Sequence, residues 1–68
     1  MFYTIHDALI GKTAKQADKF LVKSRFTLVV DCSYPDGLGI IIYENSSREV
    51  TLYLYEGKVT RLDVLRLK

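Results

Sequence analysis

The side chains that could carry out catalysis are few and far apart in the sequence. Its one histidine, His6, stands next to Asp7, and its one cysteine is Cys32. A histidine beside a carboxylate can act as a general base, but adjacent residues on a regular element do not point together. Cys32 stands between Val30 and Tyr34 in an alternating apolar pattern, which is typical of a small buried thiol and not of an activated nucleophile. These residues predict a protein that is not an enzyme.

Residues that could hold a metal ion or a nucleotide are equally sparse. Zinc sites use several cysteines or histidines, whereas this sequence has one of each. The acidic residues Asp31, Asp36 and Glu44 lack the spacing of a calcium-binding loop. The glycines of "GLG" at residues 37–39 resemble the start of a dinucleotide-binding motif, but the strand-like "IIIY" follows them instead of a helix. We therefore expect neither a metal ion nor a cofactor.

Four lysines form the one concentrated group of charge in the sequence. Between Thr13 and Ser24 the apolar residues repeat with the period of a helix and occupy one face of it. Another face carries a basic ridge, which consists of Lys12, Lys15, Lys19 and Lys23. Like charges one turn apart repel each other, and a negatively charged partner would relieve this repulsion. The ridge is therefore suited to phosphates or to an acidic protein surface. A helix face that simply contacts water explains the same pattern.

The elements that must position these residues begin with two predicted helices. Thr13 and Gln16 have the spacing of a capping box, which predicts a helix that begins at Thr13 and runs to Ser24. Gly11 separates this helix from the segment before it. That segment, "YTIHDALI", also contains capping-box spacing. It is predicted to form a short helical turn over residues 5–10, with a brief strand as the alternative.

From Arg25 onward the apolar residues alternate, and three turn signals divide the sequence into four predicted strands. The first signal, "YPDGL", suits a three-residue loop that ends in a left-handed glycine. This loop sets the pairing of the two strands beside it. The pairing predicts one shared aliphatic face, which carries Leu28, Val30, Cys32, Leu38, Ile40 and Ile42.

The other two turns decide which residues join that aliphatic face. "ENSSRE" is predicted to be a loop with an odd number of residues, which keeps the isoleucines with Leu52 and Leu54; an even loop would place them with the tyrosines. "YEGKV" suits a two-residue turn at "EG". The last segment, residues 58–68, is predicted to be a strand that bulges near Arg61 or frays, with a short helix as the alternative.

Together these elements predict an α+β fold in a single small domain, residues 1–68. A helical region over about residues 5–24 packs on a four-stranded antiparallel β-meander over about residues 26–66, in two layers. No stretch of the sequence approaches the roughly 18 apolar residues of a membrane-spanning helix, and the N-terminus lacks the pattern of a signal peptide. We therefore expect no membrane partner. Because a single cysteine allows no internal disulfide, we also expect a cytoplasmic protein.

The sheet face opposite the helix is predicted to be apolar as well. Under the odd loop it carries Val29, Ile41, Tyr43, Tyr53 and Tyr55. No second long helix is predicted that would cover this face, although residues 2–10 could fold back over it. Exposed apolar patches of this kind often bind partners, and tyrosine is common in interfaces. Cross-strand packing alone is the alternative explanation of the tyrosines.

The sequence therefore predicts a small non-catalytic protein-binding module, an inhibitor, adaptor or regulator that acts through the tyrosine face. Proteins of this size are common among the accessory factors of phages and mobile elements. The predicted partner is another protein or a second copy of the chain, joined through the tyrosine face or an edge strand. The alternative is a nucleic-acid-binding protein that uses the tyrosines or the basic ridge. It ranks second because the lysines and the tyrosines lie on opposite faces.

Overall fold

Two short helices precede a four-stranded sheet in the computed structural model, which describes residues 5–67. The elements in chain order are α1 (Ile5–Leu9), α2 (Ala14–Lys23), β1 (Thr27–Ser33), β2 (Gly39–Glu44), β3 (Arg48–Tyr55) and β4 (Lys58–Arg66). The strands pair in the order β1-β2-β3-β4, and every pair is antiparallel. The predicted α+β fold, a helical layer on a β-meander, is confirmed. Neither helix among the described residues has the length and apolar composition needed to cross a membrane.

Both ends of α2 are closed by hydrogen bonds. The Thr13 side chain accepts a hydrogen bond from the Gln16 N–H at 3.2 Å, and the Gln16 side chain accepts one from the Thr13 N–H at 3.0 Å, which confirms the predicted capping box. At the other end Arg25 adopts a left-handed conformation with a φ of 67°. The Phe26 N–H then donates to the Leu21 carbonyl at 2.9 Å. This pattern is a Schellman motif, and it turns the chain from α2 into β1.

The first turn of the sheet forms as predicted. Gly37 adopts a φ of 89°, and its N–H donates to the Tyr34 carbonyl at 3.0 Å. The Tyr34 N–H donates to the Leu38 carbonyl at 2.8 Å, which closes the three-residue loop. Cys32 therefore pairs with Ile40. The predicted register between β1 and β2 is confirmed over this part of the hairpin.

The second turn differs from the prediction. Glu44 pairs with Glu49, so the loop between them has four residues, an even number. The Asn45 side chain accepts hydrogen bonds from the backbone N–H groups of Ser47 and Arg48, at 2.9 and 2.8 Å, and holds the loop in this short form. An even loop reverses the face that β2 shares with β3.

This reversal places Ile41 and Tyr43 on the face that the helices cover. Ile41 pairs with Leu52 and is 3% exposed, and Tyr43 pairs with Val50 and is 2% exposed. The prediction that Ile41 and Tyr43 lie on an uncovered face is therefore wrong. Among residues 5–67 the core between the two layers consists of Leu9, Ala17, Leu21, Phe26, Ile41, Tyr43, Val50, Leu52, Leu54, Val59 and Leu62.

The third turn and the last strand follow the prediction. Glu56 and Gly57 form a two-residue turn with φ values of 52° and 78°. The register then shifts, so that Tyr53 pairs with Arg61, and β4 carries the predicted bulge. Because of this bulge Leu62 points into the core, where it is 2% exposed. The alternative of a short helix in this segment is wrong.

The helical layer, formed by α1 and α2, is fastened to the β4 side of the sheet. The Gly11 N–H donates to the Val59 carbonyl, and the Val59 N–H donates to the Lys12 carbonyl, both at 2.8 Å. Thr13 and Lys58 form an isolated β-bridge beside these bonds. Strand β1, at the opposite edge, is exposed along its whole length. The helices thus leave one side of the sheet uncovered on both faces.

Candidate functional site

The sheet face turned away from the helices forms a continuous surface, which we call the open face. Directly opposed residues in neighbouring strands share a face, so the strand register decides its membership. Two rows cross all four strands, Cys32, Ile40, Tyr53 and Arg61 in one and Val30, Ile42, Thr51 and Asp63 in the other. Tyr55 extends the open face along β3, two residues beyond Tyr53.

The part of the open face formed by β1, β2 and β3 is apolar and accessible. Val30 is 37% exposed, Ile40 is 43% exposed and Tyr55 is 56% exposed. Ile42 and Tyr53 are half-buried. None of the described residues covers these five side chains, which we call the apolar strip, because α1 and α2 pack on the other face. Part of the segment predicted to fold back, residues 2–4, lies outside the described residues.

The β4 side of the open face is charged. The guanidinium carbon Cζ of Arg61 lies 5.2 Å from the centroid of the Tyr53 ring, which is a cation–π contact. The Arg61 Nη2 atom lies 3.8 Å from the Asp63 Oδ2 atom. Both charged side chains are largely exposed, so this ion pair contributes little to stability. The apolar strip therefore has a charged border, as is common in protein interfaces.

The residues predicted for the binding face are divided by the structure. Tyr53 and Tyr55 lie on the open face. Val29 lies in a β-bulge of β1, where the register shifts, and is 50% exposed at the edge of the sheet. Ile41 and Tyr43 are in the core, because the even loop turns them toward the helices. Two of the five predicted residues therefore belong to the open face itself.

Four members of the open face were predicted to lie on the buried side instead. These are Val30, Cys32, Ile40 and Ile42, which the odd loop assigns to the aliphatic core. Cys32 is a free and exposed thiol, so the prediction of a buried cysteine is wrong. Asn45 is the residue from which the placement of these four side chains could have been predicted, because its side chain can close a short loop with an even number of residues.

A side-chain hydrogen bond also connects the helical layer to the sheet. The Tyr43 hydroxyl donates to the Asp18 Oδ1 atom of α2 at 2.5 Å. Burial raises the pKa of the Tyr43 hydroxyl well above its ordinary value, and the hydrogen bond to Asp18 and the charges of Asp18 and Asp31 raise this pKa further. The hydroxyl therefore remains a donor throughout the neutral pH range. This contact holds α2 over β2, one strand away from the exposed β1.

The basic ridge lies on the helical layer, on the other side of the sheet from the open face. All four lysines are exposed, and Val22 between them is 56% exposed. A shallow groove runs along this side of α2 and is lined by Lys15, Gln16, Asp18, Lys19, Val22 and Lys23. The sheet separates this groove from the tyrosines of the open face. The basic ridge and the tyrosines therefore do not form one surface.

The residues with catalytic or metal-binding chemistry are not brought together. His6 and Asp7 are exposed on α1, whereas Cys32 is exposed on β1. Over the described range, residues 5–67, no three side chains of His, Cys, Asp or Glu form a group that could hold a metal ion. The open face is the surface with the clearest chemical character in the described chain. No protein-family model, no curated protein and no solved structure matches this sequence.

Proposed function

We propose that this chain is a small non-catalytic protein-binding module, an inhibitor, adaptor or regulator, and that its contact surface is the open face. The observation that carries the proposal is the apolar strip. In a two-layer fold the solvated face of an antiparallel sheet is normally polar. Here β2 directs Ile40 and Ile42 to one face and Ile41 and Tyr43 to the other. The proposal includes a reducing, cytoplasmic setting, which keeps the thiol of Cys32 free.

The apolar strip is exposed enough to support binding. Complete burial of a large apolar side chain stabilises by about 1.5–3 kcal/mol relative to full exposure. Val30, Ile40 and Tyr55 are between 37% and 56% exposed. Covering these three side chains would therefore contribute about 3 kcal/mol to a complex. The charges of Arg61 and Asp63 at the border would orient the partner.

Capture of a partner from an extract of the native host tests the proposal. The wild-type chain is compared with I40S/Y55S, which removes two exposed side chains of the apolar strip. The matched control is V22S, which removes an apolar side chain that is 56% exposed on α2. We expect the wild type and V22S to retain the same protein and I40S/Y55S to lose it. Circular dichroism of all three chains checks that each of them is folded.

The outcomes of this experiment show which surface of the molecule contacts the partner. Equal capture by I40S/Y55S would contradict the proposal that the open face is the contact surface. Loss of capture by V22S alone would assign the contact to the helical layer and its basic ridge. Mass measurement of the purified complex then identifies the partner and shows whether it is another protein or a second copy of the chain.

A second candidate function, nucleic-acid binding, is favoured by one observation on the open face. Arg61 lies over the Tyr53 ring at 5.2 Å, and Lys58 pairs with Tyr55 at the end of the same two strands. Aromatic rings beside cations are the elements with which proteins bind single-stranded nucleic acids. Asp63, 3.8 Å from Arg61, opposes phosphate binding at the same place. Nucleic-acid binding therefore ranks below protein binding as the proposed function.

Fluorescence anisotropy with labelled single-stranded and duplex oligonucleotides distinguishes the two candidates. A nucleic-acid-binding protein should bind at low salt and lose affinity steadily as salt is added, because bound cations are released from the phosphates. The R61A variant should then bind more weakly than the wild type. Absence of salt-sensitive binding would remove this candidate function and leave protein binding.

A further inference from the structure

The two edges of the sheet differ in how well they are protected against pairing with another strand. At the β4 edge the segment of residues 11–13 forms backbone hydrogen bonds with Val59 and a bridge with Lys58. The same strand has a bulge and the charged residues Lys58, Arg61, Asp63 and Arg66. Covering segments, bulges and charges are the means by which proteins block strand addition. The β4 edge has all three.

Strand β1 has much less of this protection. All seven of its residues are exposed, with Leu28 at 45% and Val29 at 50%. Its sequence, "TLVVDCS", contains no lysine, arginine or proline, and Asp31 is its one charged residue. The register shift between Leu28 and Val30 marks a bulge at Val29. The regular part of this edge is therefore residues 30–34.

The regular part of the β1 edge directs backbone groups into solvent. The Tyr34 N–H donates to the Leu38 carbonyl, so Tyr34 bonds toward β2. Bonding directions alternate along an antiparallel strand, so Cys32 also bonds toward β2, whereas Asp31 and Ser33 direct their N–H and C=O groups outward. The Ser33 hydroxyl donates to the Asp31 carboxylate beside it. These two residues carry the groups with which a new strand would bond.

We propose that β1 pairs with β1 of a second copy of this chain, in antiparallel orientation, about a two-fold axis at Cys32. In this register Asp31 of each copy lies opposite Ser33 of the second copy, and each such pair exchanges two backbone hydrogen bonds. Val30 of each copy lies opposite Tyr34 of the other. The two four-stranded sheets then join into one continuous sheet. The open faces of both copies lie side by side on one surface of the dimer.

The β1 edge fits a second copy because its regular part is self-complementary. The register places each Asp31 carboxylate opposite a Ser33 hydroxyl, which can turn from the Asp31 of its own chain and donate to that of the second copy instead, and it keeps the two carboxylates from direct opposition. On the other face the apolar Val30 meets the ring of Tyr34. The bulge at Val29 ends the regular pairing just outside the symmetric segment. The same five residues running in the opposite direction therefore fit this segment.

The proposed contact is small, so the dimer should be weak. Five paired residues in each copy extend over about 17 Å. Stable interfaces bury about 1,200–2,000 Å² in total, and one paired edge of this length lies at or below that range. We expect a dimer that forms at micromolar or higher concentration. This inference does not depend on the proposed function, because edge pairing leaves Ile40, Ile42, Tyr53 and Tyr55 of the apolar strip accessible in both copies.

Cys32 reports on the proposed register because it is the one cysteine and would lie directly opposite Cys32 of the second copy. The native chain is treated with a short bismaleimide at several protein concentrations, and the cross-linked dimer is measured on a denaturing gel. The matched control, C32S/D63C, moves the thiol to the β4 side of the same open face. We expect roughly tenfold more cross-linked dimer from the wild type, because pairing raises the local concentration of one thiol beside the other.

Charges at position 33 test the same contact without cross-linking. S33D puts a carboxylate opposite Asp31 of the second copy, twice in each dimer, and should raise the dissociation constant about tenfold. The variant D31K/S33D puts opposite charges into both pairs and should restore association to the wild-type level or better. Sedimentation over a range of concentrations measures the dissociation constants. Thermal unfolding in dilute solution checks that each variant is folded.

Three results would overturn the dimer proposal. The first is a wild-type chain that stays monomeric at millimolar concentration. The second is a dimer whose Cys32 cross-links no better than the control, and the third is a dissociation constant that S33D leaves unchanged. In the last two cases the copies associate through another surface. Partner capture by I40S/Y55S reports separately on the proposed function, so either proposal can fail without the other.

Discussion

At the residue scale, the contact between Tyr43 and Asp18 helps to position α2 on the sheet. The Tyr43 side chain is 2% exposed, and its hydroxyl donates to Asp18 at 2.5 Å. A buried hydroxyl without an acceptor would cost free energy of folding, so the pair constrains the position of the helix. This contact could not be predicted from the sequence, because it depends on the face that Tyr43 occupies, and that face depends on a loop elsewhere in the chain.

Replacing Tyr43 by phenylalanine should destabilise the fold. The Y43F variant removes the donor and leaves the Asp18 carboxylate without this hydrogen bond. We expect the free energy of unfolding at neutral pH to fall by about 1–2 kcal/mol, measured by urea denaturation. Y55F is the matched control, since Tyr55 is 56% exposed on the open face. It should change stability by less than about 0.5 kcal/mol; equal losses in the two variants would contradict the role of the contact.

The same hydroxyl should make stability depend on alkaline pH. Burial and Asp18 raise the pKa of Tyr43 above its ordinary value of 10.0, so the folded chain keeps this proton after the unfolded chain has released it. The stabilisation is fully present below the ordinary pKa and is lost above it, by up to about 1.4 kcal/mol per pH unit. The advantage of the wild type over Y43F should therefore shrink between about pH 9 and about pH 11. An advantage that grows over this range would argue against the assignment.

At the scale of elements, turn chemistry separates what the sequence predicts well from what it does not. Gly37 and Gly57 occupy positions with φ values of 89° and 78°, which few other residues adopt without strain. These glycines mark the length of their loops, so the first and third hairpins could be predicted. The second loop contains no glycine, and the hydrogen bonds of the Asn45 side chain close it instead. Asn45 is therefore the signal of its even length, and it specifies the length of a loop less strongly than these glycines do.

The conformation at the end of α2 is a second feature that could not be predicted from the sequence. The Schellman motif requires a left-handed residue, a position usually taken by glycine, and here Arg25 takes it with a φ of 67°. An arginine in this position carries a steric cost that glycine avoids. The buried contact that follows, with Phe26 7% exposed beside Leu21, holds the motif in place. Packing therefore overrides the local preference of Arg25.

Replacing Arg25 by glycine should stabilise the fold. The R25G variant removes the strain of the left-handed conformation, and we expect a gain of about 1 kcal/mol in the free energy of unfolding. K19G, an exposed position in the middle of α2, is the matched control. It should lose about 1 kcal/mol, because glycine in a helix interior is unfavourable. Thermal unfolding of both variants measures these changes, and a loss of stability in R25G would contradict the reading of Arg25 as strained.

At the scale of the whole molecule, one loop decides which apolar residues form the core. Helical and alternating periods in the sequence predict the number, order and type of the elements, and the structure confirms them. Compared with the prediction, β1 and β2 present their opposite faces to the helices, because the loop before β3 has an even and not an odd number of residues. This reversal places Ile41 and Tyr43 in the core and Ile40 and Ile42 on the open face. The apolar face was therefore expected, but most of its members were not.

Neighbouring isoleucines provide a matched test of this assignment. Ile41 is 3% exposed in the core, and Ile40 is 43% exposed on the open face. I41S should lower the free energy of unfolding by about 3 kcal/mol or more, because it leaves a cavity and buries a hydroxyl. I40S should change stability by less than about 1 kcal/mol. Chemical denaturation measures both, and a larger loss in I40S would show that the faces are assigned the wrong way round.

Methyl NMR of the isoleucines in the presence of the captured partner tests most directly whether the open face binds a protein. Ile5 reports on the helical layer, Ile41 reports on the core, and Ile40 and Ile42 report on the open face. We predict that the methyl signals of Ile40 and Ile42 shift or broaden as the partner is added, while the others stay in place. Shifts confined to Ile5, with Ile40 and Ile42 unchanged, would contradict binding at the open face.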